Sequence, residues 1–355
     1  MKTKKILIKL ITLGVLSISL LTILFLNSEN QIHRNNTFIR RYPHHPISKK
    51  YDIPLKYNSY YMAGYEKGNL YLGNHTAPLH LLKVNIKTQD TQHIRIHLKN
   101  KDLPFRSASV KLYPPYFFIT DGTVPCIFRG HIGEWKANFW MKDKAYFTNT
   151  IPIDSNTFYI KTISSRTNQS ILGTIEKRKG FEVKLDSSLL VKQMDGVFDV
   201  DGIMLASEDK KYLGYVYFYR NQFFIMNYKL DVLVKDETID TVRIAQIKLS
   251  KINKDGEVKM AAPPLVINKT ATLMDKFLLI NSNRLGKYEA KEMLNQASII
   301  DVYNWKKQSY EFSFYVYDVN QNKVKEFKVY DDYLVALIGN SLSIYQLKPS
   351  YFKQG

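Results

Sequence analysis

The sequence is poor in cysteine and tryptophan, and it has few long helical patterns. Its 355 residues include one cysteine, Cys126, which excludes a disulfide within the chain. Because Cys126 lies far from the N-terminus, it also excludes the lipid-modified cysteine that follows a signal peptide. We interpret this cysteine, which stands between Pro125 and Ile127, as a small buried apolar side chain. Stability must therefore come from a hydrophobic core, and 45% hydrophobic residues are enough to build one.

Signatures of catalysis are absent from the sequence as well. It contains no Gly-rich phosphate loop, no Gly-x-Ser-x-Gly, no His-Glu-x-x-His and no Cys-x-x-Cys. The formal charge of +19 is spread along the chain, whereas nucleic-acid-binding proteins concentrate basic residues on one face or arm. We therefore expect no nucleic-acid partner, no cofactor and no catalytic residues. The charge indicates a solvated surface, with attraction to anionic lipid headgroups as the alternative.

One long apolar run is present, and it lies near the N-terminus. Residues 10–26 carry no charge, and Lys2, Lys4 and Lys5 precede them. Such a run is long enough for a membrane-spanning helix, and the preceding basic residues keep the N-terminus in the cytoplasm. We predict a cytoplasmic stub (1–5), a transmembrane signal anchor (6–26) and a polar tether (27–46). A cleaved signal peptide is the alternative, although no Ala-x-Ala site follows Leu26.

A strand-turn-strand unit recurs in the remaining chain. Residues 70–82 and 117–129 each have an apolar strand, then Asn or Asp, one residue, Thr, one residue, Pro, and a second apolar strand. The two prolines, Pro78 and Pro125, lie 47 residues apart, which is a spacing typical of propeller blades. The 25 Tyr and 19 Phe residues also favour strands. The repeat predicts a β-propeller over residues 47–349, followed by a short tail (350–355).

Six strand-rich units can be laid out along this region. They begin with equivalent apolar residues: Leu70, Phe117, Phe158, Val216, Leu278 and Leu334. We predict an all-β fold, a six-bladed β-propeller behind an N-terminal transmembrane helix, with seven blades as the alternative. The last unit has three strands, so residues 47–55 are expected to supply the fourth and close the ring. The fifth unit has insertions, a hairpin turn at Asp255-Gly256 and a short helix over 285–295, which make it a candidate interaction region.

Three stretches resemble a known group of proteins. They are residues 219–223, residues 237–241, and residues 300–304 followed by 310–314. They resemble uncharacterised, membrane-attached or lipoprotein-like six-bladed β-propellers of Gram-negative bacteria. The resemblance implies a non-catalytic role in the cell envelope, with a single-pass helix in the inner membrane and the propeller in the periplasm. It also implies an envelope protein as a possible partner.

Polar residues at turns and strand ends are the candidate ligand-binding residues. On one interpretation, Asn74 and Asp121 cap their own turns through hydrogen bonds to the backbone. On the other, a polar pocket at the mouth of the central channel binds an anionic carboxylate or phosphate through arginine. The candidates for that pocket are Asn74, His75, Asp121, Arg129, Arg166, Arg220, Asn281 and Arg284.

Three functions fit the sequence. The favoured one is a monomeric, membrane-anchored module that binds a protein or a ligand without catalysis. The alternative is a calcium-dependent hydrolase or lactonase-like propeller, which needs several oxygen ligands around one ion. The candidate ligands come from separate units: Asp121, Asp199, Asn227 and Asn281. A structural envelope protein without a ligand is the third.

Overall fold

The apolar strands fold into small antiparallel sheets that are arranged as the blades of a propeller. The structure is a computed structural model and describes residues 2–32, 36–99, 104–251 and 258–352. Six sheets of four or five strands form the blades, and a two-stranded hairpin stands apart from them. The prediction of an all-β, six-bladed propeller is confirmed, and the seven-bladed alternative does not apply to the described residues.

The helices and strands follow the chain in blade order. Two elements precede the first blade: α1 (Lys2–Ile32) and β1 (Ile47–Pro54). Blade one contains β2 (Tyr60–Glu66), β3 (Asn69–Asn74), β4 (His80–Asn85) and β5 (Thr91–Arg95). Blade two contains β7 (Ser109–Tyr113), β8 (Tyr116–Asp121), β9 (Cys126–His131) and β10 (Lys136–Lys142), counted from the channel outward, and the short β6 (His97–Leu98) pairs with β10 as a fifth, outermost strand. Blade three contains β11 (Asn149–Pro152), β12 (Thr157–Ile163), β13 (Ser170–Lys177) and β14 (Phe181–Asp186).

The second half repeats this pattern with additions. Blade four contains β15 (Gly202–Ala206), β16 (Tyr212–Tyr217), β17 (Gln222–Asn227) and β18 (Val232–Glu237). The hairpin that follows is β19 (Leu249–Lys251) and β20 (Val258–Met260). Blade five contains β21 (Asn268–Leu273), β22 (Phe277–Ser282), α2 (Met293–Gln296), β23 (Ala297–Asn304) and β24 (Ser309–Tyr317). Blade six contains β25 (Val324–Tyr330), β26 (Tyr333–Ile338) and β27 (Ser341–Leu347), and α3 (Pro349–Phe352) follows it.

The six residues taken as equivalent from the sequence all lie on the second strand of a blade. Five of them are the second residue of that strand, as Leu70 is in β3 and Leu334 is in β26. Val216 is the fifth residue of β16, so Leu213 is the equivalent position in blade four. All of these side chains are buried, because the second strand has a neighbouring strand on both sides and a neighbouring blade on each face.

The hydrophobic core lies between blades rather than inside one of them. Each of six buried clusters joins two adjacent blades, and the cluster around Leu70 and Ile344 joins blade six to blade one. The first strands of the blades contact one another around the ring, including β25 with β2. Strand β1 pairs antiparallel with β27, from Ile47 opposite Leu347 to Pro54 opposite Ser341. The ring is therefore closed by the N-terminal strand, as predicted.

The ring has two faces, which we define by their turns. Face A has the turns between the second and third strands of each blade, and the connections that lead to the next blade. Face B has the turns between the first and second strands and those between the third and fourth. Since neighbouring strands are antiparallel, every turn of one kind lies on the same face.

The N-terminal helix is long enough and apolar enough to cross a membrane. Its apolar part, Lys4–Leu26, has a mean hydropathy of 2.3 and is not buried against the propeller. Such a helix is consistent with a membrane anchor and with a signal sequence.

Residues 36–46, which the sequence analysis assigns to the tether, are packed against blade five. We call this segment the strap. The side chain of Phe38 is buried, the Lys287 N–H donates to the Phe38 carbonyl, and the Ser313 N–H donates to the Arg41 carbonyl. The structure differs here from a free tether, because the partners of the strap lie some 250 residues away and leave no local pattern in the sequence.

The insertion in blade five also differs from its prediction. The helix expected over 285–295 is confined to Met293–Gln296, and residues 285–292 form turns. The backbone N–H of Gly286 donates to the Glu289 side chain, and that of Lys287 donates to the Phe38 carbonyl of the strap. Neither N–H therefore donates to the carbonyl four residues earlier, as it would in an α-helix. The predicted hairpin turn at Asp255-Gly256 lies outside the described residues; the flanking strands β19 and β20 are paired antiparallel.

Candidate ligand-binding channel

Asn74 and Asp121 each accept hydrogen bonds from their own turn and from the preceding connection on face A. The Asn74 side-chain oxygen accepts from the Thr76 N–H at 2.9 Å and from the Ser59 hydroxyl at 2.9 Å. The Asp121 carboxylate accepts from four backbone N–H groups, those of residues 106, 107, 123 and 124. Burial alone would raise the pKa of Asp121, but these donors stabilise the charged form and hold the pKa below its ordinary value. Both residues therefore cap their turns.

The four candidate arginines do not converge on one pocket. Arg129 donates to the Ser155 carbonyl at 3.1 Å, in a turn on face B. Arg166 is exposed in a turn on face A. Arg284 donates to Asp240 at 3.2 Å and to Asn36 of the strap.

Arg220 is the most deeply buried of these arginines. Its guanidinium lies 3.6 Å from the centre of the Tyr217 ring and donates to the Val191 carbonyl at 2.8 Å. The remaining candidates lie elsewhere on face A. Asn281 is buried in β22, and the His75 ring packs against the Tyr61 ring with centroids 4.5 Å apart.

The four oxygen-bearing residues considered as calcium ligands are also separated. Asp121 accepts from backbone N–H groups of its own turn and of residues 106–107, and Asp199 accepts from the backbone N–H groups of residues 193, 194 and 196. Asn227 lies on face B and accepts from the Lys229 and Asp231 N–H groups, whereas Asn281 lies toward face A. Among the described residues, no group of three or more His, Cys, Asp and Glu side chains is placed to hold a metal ion. The geometry gives the calcium-dependent alternative no ligand set.

A cavity occupies the central channel of the propeller. It has a volume of about 980 Å³ and is lined by the first strand of every blade. It extends from His75 on face A to Lys210 in a turn on face B. Of the candidates chosen from the sequence, His75 alone lines it. A cavity of this size, enclosed by a rigid ring and lined by both apolar and polar groups, is suited to a small ligand.

Four lysines line this channel: Lys325 donates to the Asn58 and Tyr60 carbonyls, and the other three come from three different blades. Lys111 is in β7, Lys210 is in the first turn of blade four, and Lys328 is in β25. Lys111 donates to the Asn149 side chain at 3.1 Å and to the Thr150 carbonyl. Burial lowers the pKa of Lys111 to about 8. Burial and the positive charge of Lys328 lower that of Lys210 to about 8.

Acidic groups also face the channel, but they are bonded elsewhere. The Glu326 carboxylate accepts from the Met62 N–H at 3.0 Å. Asp209 accepts from the Ser207 hydroxyl at 2.6 Å and pairs with Lys211 at 3.1 Å. Burial and repulsion from Asp331 raise the pKa of Glu208 on face B. Among the described residues, no carboxylate lies within ion-pairing distance of the three lysines.

The sequence analysis missed these lysines, although a signal is present. Lys111 stands between Val110 and Leu112, and Lys328 stands between Phe327 and Val329, all four of which are buried. Alternation in a strand suggests that such a lysine simply points to solvent. In the first strand of a propeller blade, however, the open edge faces the channel. The position of the strand in its blade, rather than the pattern, decides where the lysine lies.

Arg40 of the strap is also buried, but its guanidinium has a full set of hydrogen-bond acceptors. Its five N–H groups are all used. Two donate to Asp301 at 2.6 and 3.0 Å, one to Glu289 at 2.8 Å, one to Ser282 at 2.9 Å and one to the Arg284 carbonyl at 3.0 Å. Burial opposes the charge, but Asp301 and Glu289 outweigh it and raise the pKa of Arg40 above its ordinary value.

These features define a six-bladed β-propeller with an N-terminal apolar helix, a docked strap and a basic channel. No protein-family model matches the sequence, and no curated protein does. Among solved structures, a member of the DUF4221 family from Bacteroides vulgatus is similar, with a TM-score of 0.52 at 11% identity, covering 85% of this chain and 97% of that one. The β-propeller domain of Cps50 (Swd1) from Myceliophteria thermophila has a TM-score of 0.48 at 7% identity, over 84% and 100% of the two chains. The first likeness supports the fold.

Proposed function

We propose that this protein is a membrane-anchored β-propeller whose central channel binds a small ligand without catalysis. The observation that carries the proposal is the channel itself, a cavity of about 980 Å³ in which Lys111, Lys210 and Lys328 form no ion pair among the described residues. Rigid scaffolds with a concave polar site are common binding modules. The separation of the candidate calcium ligands weighs against the hydrolase alternative.

The proposal includes the location of the module. The apolar helix would serve as a single-pass anchor in the inner membrane, with a monomeric propeller in the periplasm. Support comes from the length of the apolar segment, Lys4–Leu26, and from the basic residues at its start. An envelope protein that receives the bound ligand would be a fitting partner for such a module.

A blocked channel tests this function. Ala206 lines the channel from β15, and Ala206→Phe would fill part of it. The matched control is Ala290→Phe, at an exposed position of the blade-five insertion. We expect a panel of small metabolites to contain ligands that raise the melting temperature of the wild type and the control but not of Ala206→Phe. The ligands should be recovered chemically unchanged. Ligands that stabilise all three proteins equally would contradict a channel site.

A further inference from the structure

We propose that Lys111, Lys210 and Lys328 together bind one small multivalent anion, which has phosphate or carboxylate groups. This inference rests on the proposed function, because it names the ligand class of the same channel. It differs from the arginine pocket expected from the sequence, whose members are dispersed over both faces.

Three lysines from alternate blades line the same cavity. Lys111 comes from blade two, Lys210 from blade four and Lys328 from blade six. They are close enough to influence one another, since the charge of Lys328 lowers the pKa of both Lys111 and Lys210. Like charges placed together inside a protein are unfavourable unless something compensates them.

The surrounding carboxylates provide that compensation only in part. The other titratable groups facing the channel include His75, Glu208, Asp209, Lys325, Glu326 and Tyr330. The charge of Glu326 raises the pKa of Lys111 and Lys328, and the charges of Glu208 and Asp209 raise that of Lys210, but burial outweighs them. Glu326 accepts the Met62 N–H and forms no ion pair with a lysine among the described residues. Lys325 adds a further positive charge near face A, where it donates to the Asn58 and Tyr60 carbonyls. Tyrosines stay neutral near pH 8, because burial raises the pKa of Tyr61 to about 12.

A multivalent anion would satisfy this arrangement. Lysine presents a compact point charge with three donors, and it binds phosphate and carboxylate oxygens from several directions. Three such groups around one cavity suit a ligand with two or three negative charges better than a single carboxylate. The channel has room for a molecule of that size. A neutral or cationic ligand would leave the three ammonium groups without an ion-pairing partner among the described residues.

Proton uptake gives the proposal a readout that surface binding does not share. Lysines with a pKa of about 8 are roughly half protonated at pH 8. A bound anion favours the charged form of lysine. On binding, Lys111 and Lys210 together should therefore take up about one proton from the buffer. An anion bound by ordinary exposed lysines takes up none at pH 8, because those lysines are already protonated.

The experiment is calorimetric titration of the full-length protein in a zwitterionic detergent at pH 8. The probes are pyrophosphate and citrate, each titrated in two buffers of different ionisation enthalpy, and proton uptake is read from citrate because its carboxylates are all ionised at pH 8. Three variants are compared with the wild type: Lys210→Met/Lys328→Met, the charge-retaining Lys328→Arg, and Lys184→Met. Lys184 is the control, because its side chain is 62% exposed on the outer strand of blade three.

We expect one site on the wild type for at least one probe, with proton uptake. Binding should weaken at least about tenfold in the double methionine variant, change little in Lys328→Arg, and stay the same in Lys184→Met. Thermal melts of each variant confirm that the propeller is folded. Binding without proton uptake, equal binding by the double variant, or no binding of either probe would overturn the proposal.

The outcome is separable from that of the proposed function. If neither anion binds but other ligands bind in a way that Ala206→Phe abolishes, the channel is a ligand site and the anion assignment is wrong. If Ala206→Phe changes no binding at all, the ligand-binding function is wrong as well.

Discussion

Two of the cations in this propeller, Arg40 of the strap and Lys328 of the channel, have opposite surroundings. Arg40 of the strap has two carboxylates and five hydrogen bonds. Lys328 in the channel has no ion pair and no hydrogen-bond acceptor among the described residues, and burial lowers its pKa. The first arrangement stabilises a fold, because every donor has a partner. The second retains unpaired charge at a cost in stability, which is typical of binding and catalytic sites.

The two kinds of cation lie in different parts of the molecule, one at the outside of the ring and the other in its channel. The strap and β1 hold the ring together from outside, through contacts distant in sequence. Lys210 and Lys328 are placed by the same ring, but their ammonium groups make no ion pair or hydrogen bond among the described residues, whereas Lys111 donates to blade three. Substitutions at the two sites are therefore expected to have effects of opposite sign on the free energy of unfolding.

The largest effect is expected from removing β1. Deletion of residues 47–54 exposes the edge of β27, which pairs with β1 along its whole length, and opens blade six. We expect the full-length protein with this deletion to lose its cooperative thermal transition by circular dichroism. A chain that begins at Asn36, and so retains the strap and β1, is the control and should melt as the wild type does. A cooperative melt of the deletion variant would refute closure by this strand.

The next effect is expected at the paired cation. Arg40→Met leaves Asp301 and Glu289 buried without their counter-charge, and breaking such a network costs about 3–5 kcal/mol. Chemical denaturation should show this loss. The control is Arg41→Met, since exposed Arg41 makes one hydrogen bond to the Tyr310 carbonyl and its loss should cost less than about 1 kcal/mol. Equal effects of the two substitutions would mean that the strap adds no stability through Arg40.

A smaller loss is expected at a buried anion that the backbone satisfies. Asp121→Asn removes a charged acceptor from four N–H donors and should cost about 1–3 kcal/mol at pH 7. Because the folded-state pKa of Asp121 is lowered, its contribution is full above the unfolded-state pKa and is lost as the pH falls through the folded-state pKa. The variant should therefore differ less from the wild type in acid. Asp275→Asn, at a surface pair with Lys306, should show neither effect.

Turns within a blade were predictable from the sequence. Contacts between distant residues were predictable only where a closed propeller ring requires them. The Asn-x-Thr-x-Pro and Asp-x-Thr-x-Pro turns indicated blades, because the hydrogen bonds that form them lie within a few residues. Closure by residues 47–55 followed from a missing strand in the last unit. The strap was not predictable, since Arg40 and Asp301 are 261 residues apart and neither has a pattern that points to the other.

The candidate site was less accessible to prediction than the fold. His75 lies at the channel as the sequence suggested, but the arginines chosen for their turn positions contact their own loops and blades. Lys111 and Lys328 are candidate ligand-binding residues because they lie in the innermost strands of their blades, which line the channel. Residues that meet in a propeller channel come from strands dozens of residues apart, so their convergence is a property of the ring.

The most direct test of the central claim is the free energy of unfolding of Lys210→Met/Lys328→Met at pH 7 and pH 10. The folded-state pKa of Lys210 is about 8, below its unfolded value, so its charge destabilises the fold below pH 8 and the cost is relieved as the pH rises toward about 10.5. We predict that the double variant is more stable than the wild type at pH 7 and that this advantage shrinks at pH 10. A variant less stable than the wild type at pH 7 would show that these lysines support the fold, as Arg40 does, and would contradict the account.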